Sequence, residues 1–176
     1  MFINQLLYKH ALRNRKRIPN AFPCFMQCRR ILLLFNENDW TALQPAVSRL
    51  RSEGREITAI AFTPHSKKNQ LPPTDYIRVT KKDFSCLSKP KADLLSILSC
   101  HYDLLISLFS QPTLCTQWMV LLSNADFKTG ETHNITFQET NQLLDFIIQL
   151  PEEKASDTQY LLEQILHYLQ HITPQV

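Results

Sequence analysis

Short apolar runs alternate with longer amphipathic stretches along most of the chain. The clearest unit lies at 102–130. Tyr102, Asp103, Leu104, Leu105, Ile106, Ser107 and Leu108 make an apolar run of strand length. A polar break with Pro112 follows, then an apolar-rich helical stretch over 113–123, then a second short run over 125–130. That order is strand, loop, helix, strand: one βαβ unit.

The same grammar occurs upstream. Residues 30–35 are continuously apolar after Arg30, as in a strand buried on both faces. Asn36, Asn38 and Asp39 then supply turn and N-cap side chains. The spacing predicts a helix over 40–53, with Leu43, Ala46, Val47 and Leu50 on one side and Gly54 closing it. Pro45 lies beyond the first turn and should kink or delay that helix. Residues 57–62 read as a second strand, 75–80 as a third, and 92–100 as a helix with Leu94, Leu95 and Leu98 inward. Asn124 is a natural left-handed stop for the 113–123 helix. Strand five falls at 126–129, and strand six at 143–150, ended by Pro151. A closing helix spans 155–172, with Tyr160, Leu161, Ile165, Tyr168 and Leu169 as its stripe.

Strands alternating with helices require a mostly parallel sheet with right-handed crossovers. The expected fold class is α/β, a Rossmann-like three-layer sandwich with a mostly parallel sheet of about six strands. A basic N-terminal helix precedes it. Residues 1–29 are expected to form an amphipathic extension and 30–176 a single domain.

The extension brings in charge. Phe2, Ile3, Leu6, Leu7 and Ala11 recur at helical spacing, and the stretch ends in Arg13, Arg15, Lys16 and Arg17. Cations at a helix C-terminus are favoured by its dipole, so the cluster has a local reason to exist. It also suits an interfacial helix touching an anionic surface. Seven of the 19 Lys and Arg residues precede the first acid, Glu37, which leaves twelve against 16 acids in the body. Such asymmetry points to an anionic partner for the head. Arg13, Arg15, Lys16 and Arg17 are the candidates for that contact. A helix packed on the domain with a solvated basic end is the first reading of this stretch; contact with an anionic membrane surface is the second, ahead of nucleic acid, and an unidentified protein or small molecule is the expected partner of the body.

With 176 residues, the chain can bury a core without disulfides or metal. No apolar run reaches the roughly 20 residues of a membrane span. Apolar residues precede the N-terminal charges, the reverse of a secretory signal. The five cysteines are odd in number and sit mostly in apolar segments, which fits free thiols in a reducing compartment. The expectation is a cytoplasmic protein, with peripheral attachment to the inner membrane through its head as the further option.

Candidate chemistry is sparse. The chain has two glycines, Gly54 and Gly130, far apart. A phosphate cradle needs several close together, so no NAD, FAD or P-loop ATP site is expected, and no other cofactor. Cys24 and Cys28 lack a second ligand pair, and His167 and His171 share a helix face without a third ligand; no metal is expected. Cys86, near Lys82 and Lys89, is the one weak nucleophile candidate. No G-x-S-x-G occurs. In open parallel sheets, ligands bind beyond the carboxyl ends of the strands, where the strand order reverses. If strands one and four are neighbours, that crevice is lined by Asn36, Asn38, Asp39, Ser107, Ser110, Gln111 and Thr113, with Lys81 and Lys82 on the rim. An anion suits such a place, and the same residue types are also ordinary helix caps.

The runs at 30–35, 102–108 and 121–130, with Lys81, Lys82 and Asp83 and the Lys89, Pro90, Lys91 segment, resemble an uncharacterised family of short bacterial α/β proteins. That resemblance implies a fold and no activity. The 102–130 stretch also resembles the N-terminal Rossmann-like half of heptosyltransferase-like GT-B glycosyltransferases. In those enzymes a strand ending in a carboxylate leads to a helix and a short strand closing on glycine. Here Ser107 stands at the carboxylate position, and no nucleotide-sugar-binding second domain is expected within these residues. The missing motifs and the basic head favour a non-catalytic binding or interaction domain. The second resemblance implies the alternative, a glycosyltransferase-like enzyme half acting on a sugar or anionic ligand.

Overall fold

The structure is a computed structural model, and it describes residues 2–13, 24–64, 75–131, 143–155 and 157–171. Six strands form one sheet: β1 (Arg30–Asn36), β2 (Glu56–Thr63), β3 (Ile77–Thr80), β4 (Tyr102–Ser107), β5 (Ala125–Glu131) and β6 (Phe146–Ile148). Their order is β3-β2-β1-β4-β5-β6, and every pairing is parallel. Among the described residues there are five α-helices: α1 (Phe2–Arg13), α2 (Trp40–Ser52), α3 (Ala92–Leu98), α4 (Leu114–Leu122) and α5 (Thr158–His171). The fold is Rossmann-like α/β.

The layering follows from chain direction. The chain moves one way across the sheet from β1 to β2 and the other way from β4 to β5. Right-handed crossovers then place α2 and α4 on opposite faces. Leu43, Val47 and Leu50 of α2 and Leu161, Leu162 and Ile165 of α5 share one core with Leu33, Phe35 and Ile106. Leu94 and Leu98 of α3, Trp118 and Met119 of α4, and Tyr8 and Leu12 of α1 share the other core with Leu32, Leu34 and Leu105. Successive residues of β1 thus face opposite cores, which is why its apolar run is unbroken.

Pro45 does not delay α2, and three other local expectations need correction. Helix α2 runs from Trp40 through Pro45 to Ser52. Pro45 is exposed, so the carbonyl it leaves unbonded can meet water while Leu43, Val47 and Leu50 stay buried. Asp39 makes no cap hydrogen bond, because a 3-10 turn (Glu37–Asp39) leads directly into α2 and leaves it without the extended backbone of a cap. Asn124 is not left-handed; Ser88 is the one non-glycine residue with positive φ among those described. The end of α4 is capped instead by Lys128, a buried residue of β5. Its Nζ donates to the carbonyls of Val120 and Ser123, each at 2.7 Å, and of Leu121 at 3.4 Å. Strand six shrinks to Phe146–Ile148, although Leu143, Leu144 and Leu150 around it are buried. An apolar run alone does not separate strand from buried coil.

Gly54 closes α2 as expected, with φ +83°. Its N–H donates to the Arg51 carbonyl at 3.0 Å, and the Arg55 N–H to the Leu50 carbonyl at 3.2 Å, the paired bonds of a Schellman motif. A Cβ there would meet nothing within 4 Å, so only backbone strain opposes a side chain. Gly54→Ala is therefore expected to cost about 1 kcal/mol. In urea unfolding the midpoint should fall while the slope stays constant.

Candidate functional site

β1 and β4 are hydrogen-bonded neighbours, so the strand order reverses where the sequence placed the crevice. The described residues largely fill it. Thr158, at the start of α5, donates its hydroxyl to Asp39 Oδ2 at 3.1 Å, and Asn36 Nδ2 lies 3.5 Å from the same oxygen. Ser107 is buried against Gly130 of β5, its register partner. Thr113 is taken up in a capping box with Thr116 at the start of α4. A cavity of about 20 Å³ remains beside Ser107, Thr116, Gln117, Glu131 and Leu144, room for about one water molecule. A second recess, bordered by Ser110, Glu131, Asp157 and Thr158, admits none.

The remaining candidates are scattered. Asn38 and Gln111 are exposed and border neither space. Lys81 lies close enough to Cys115, in the first turn of α4, to act on its thiol. Burial raises that thiol's pKa, and a hydrogen bond with Ser88 and the Lys81 charge oppose the rise. Lys81 follows the carboxyl end of β3, in the 3-10 turn Lys81–Asp83. Arg13 ends α1, while Arg15, Lys16 and Arg17 lie outside the described residues.

Sequence reasoning missed two acids at this end of the sheet. Glu131 is buried at the end of β5 and borders both spaces. Glu37 pairs with Arg78 of β3 and accepts the Tyr76 hydroxyl at 3.0 Å. Burial, followed by the bond to Glu37, raises the Tyr76 pKa. Phe35, Trp40 and Tyr76 pack their rings beside this pair, with centroids 5.1 to 5.9 Å apart.

The larger opening is at the other end of the sheet. A cleft of about 690 Å³ lies at the amino ends of β1 and β2, bordered by Met26, Cys28, Arg29, Glu53, Arg55 and His171. The Arg55 guanidinium stands over the Phe25 ring at 4.3 Å and pairs with Glu53. Burial, with a further push from Asp103, raises the Cys28 thiol to about 11. It is protonated at neutral pH and a poor nucleophile. All five cysteines are free thiols.

The sequence pairs Cys24 with Cys28 and His167 with His171 as potential metal ligands. Cys28 Sγ lies 3.6 Å from the Cys24 carbonyl, and the two histidine rings are 4.3 Å apart. His171 Nδ1 is 2.7 Å from the His167 carbonyl. Neither pair converges with a third donor among the described residues. Among the described residues, the grouping that does is His101, Asp103 and Asp126.

A family model described as "Family of unknown function (DUF6913)" matches residues 1–172. No curated protein matches the chain. Among solved structures, the chain is similar to the crystal structure of the TT0316 protein from Thermus thermophilus, with 12% identity and a TM-score of 0.36. The match covers 99% of this chain and 63% of that one, so this chain spans less than two thirds of its length. A likeness that slight does not bear on the glycosyltransferase resemblance.

Proposed function

The chain belongs to this family of unknown function, and from that premise we propose that it is a non-catalytic binding domain held at an anionic membrane surface through α1. The observation that carries the reading is the divided character of that helix. Its inner side is fixed to the domain: Tyr8 and Leu12 are buried, and the Tyr8 ring meets Trp118 edge-on at 5.3 Å. Its outer side holds Leu6, 57% exposed, and Leu7, 37% exposed. Lys9 and His10 are exposed on the same helix. The sequence then runs into Arg13, Arg15, Lys16 and Arg17.

A helix anchored by one side cannot roll its outer leucines into the core. An interfacial layer offers them burial at about 25 cal/mol per Å² of apolar surface. Each cation near an anionic bilayer adds about 1 kcal/mol. The net acidic body is repelled by the same surface, which turns α1 towards it. No described helix is long and apolar enough to cross a membrane.

Flotation of the full chain with vesicles tests the reading. It should float with phosphatidylserine-containing vesicles and not with phosphatidylcholine alone. Leu6→Gln with Leu7→Gln, or Arg15→Glu with Lys16→Glu, should each weaken binding at least about tenfold. Equal binding to both vesicles, or none to either, would overturn it. A glycosyltransferase-like half acting on a sugar or anionic ligand is the second reading. The reversal of strand order between β1 and β4 favours it, and the small space left there weighs against it.

A further inference from the structure

We propose that His101, Asp103 and Asp126 bind one divalent transition-metal ion, Zn2+ by preference, at the amino ends of β4 and β5. The register sets up the grouping. Tyr102 pairs with Ala125 and Leu104 with Phe127, so Asp103 and Asp126 occupy adjacent strands at the same level. His101 stands two residues before Asp103, the spacing at which side chains return to one side of a strand.

The geometry is close to what an ion needs. His101 Nε2 lies 3.0 Å from Asp126 Oδ2, and one donor atom from each of the three residues lies within 4.8 Å of the others. A tetrahedral ion with bonds of about 2.0–2.2 Å separates its ligands by about 3.4 Å. Closing that gap takes a movement of at most about 1.4 Å. His101 and Asp126 are exposed, with room to swing through it.

Asp103 is the fixed point. Its Oδ2 accepts the Arg29 N–H at 2.7 Å and the Arg30 N–H at 2.8 Å, so two main-chain donors orient the carboxylate from outside the grouping. Ligating carboxylates in metal sites are held this way. The Arg30 side chain is drawn to Glu56 at 3.7 Å and to the Tyr102 ring. One imidazole nitrogen with two carboxylate oxygens is a mixed set that suits Zn2+ better than Mg2+ or Ca2+. The fourth position is left to water. Two carboxylates also balance the ion's charge.

Titration of Zn2+ into the full chain, followed by calorimetry, tests the site. One ion per chain is expected, with His101→Ala and Asp126→Asn each lowering affinity at least about tenfold. Both residues are exposed, so these variants should melt with the parent protein. His167→Ala with His171→Ala should leave the affinity unchanged. Co2+ in place of Zn2+ should give a visible spectrum without a thiolate-to-metal charge-transfer band. Absence of Zn2+ binding, affinity undiminished in either single variant, loss in the paired histidine variant, or a thiolate band would overturn the assignment.

Discussion

Gly130→Ala should lower the stability of the fold by about 2–3 kcal/mol, well beyond the effect at Gly54. The two glycines are needed for different reasons. Gly54 has a left-handed backbone and open space around it. Gly130 lies between β4 and the buried Leu144. A Cβ there would sit 2.7 Å from the Ser107 carbonyl oxygen, 3.1 Å from Ser107 Cβ and 3.3 Å from Leu144 Cδ1. The first of these is a backbone atom and cannot rotate away. The end of β4 is tied down as well, since the Leu108 N–H donates to the Leu34 carbonyl at 2.8 Å. Relief therefore requires moving β5 away from β4 at the point where both meet the filled crevice. Urea unfolding followed by the fluorescence of Trp40 and Trp118 measures the loss. A shift no larger than that of Gly54→Ala would mean that the approach of the strands relaxes easily.

The contrast between the two glycines shows what a sequence can and cannot reveal. Gly54 follows a stripe of Leu43, Val47 and Leu50, so its role is written within one turn of the helix. β1 and β4 are equally local: apolar-rich runs of strand length mark them as buried on both faces. Crevice positions such as Asn36 and Ser107 were legible because they end those runs. That the crevice is filled was not. Asp39 is engaged by Thr158, 119 residues away, and Glu37 by Arg78, 41 residues away. Asp39 reads as a turn residue from its neighbours alone, and Glu37 carries no local signal of its partner. The grouping of His101 and Asp103 with Asp126 likewise depends on the register of β4 against β5, which no local pattern encodes.

Lys128 is the extreme case, and its replacement should have the other large effect. In sequence it is a lysine between Phe127 and Thr129, the sort of residue expected on the solvent side of a strand. In the structure it is 2% exposed and its ammonium reaches three carbonyls at the end of α4. Those carbonyls carry the negative end of the helix dipole, so a cation there is favoured twice, by hydrogen bonds and by field. Lys128→Met keeps most of the buried chain and removes the donor. The cost of burying a charge disappears with it, but the Val120, Leu121 and Ser123 carbonyls lose a buried donor. We expect a net loss of about 2–4 kcal/mol, since breaking a buried charged contact by removing one partner usually costs more than the desolvation it saves. Lys128→Ala should lose more, because it also leaves a cavity. Lys128→Arg should not restore stability, because a planar guanidinium cannot converge on three carbonyls as an ammonium does. Urea midpoints for the three variants decide the matter. A methionine variant as stable as the parent would show that the ammonium contributes no net stability and that α4 ends securely without it.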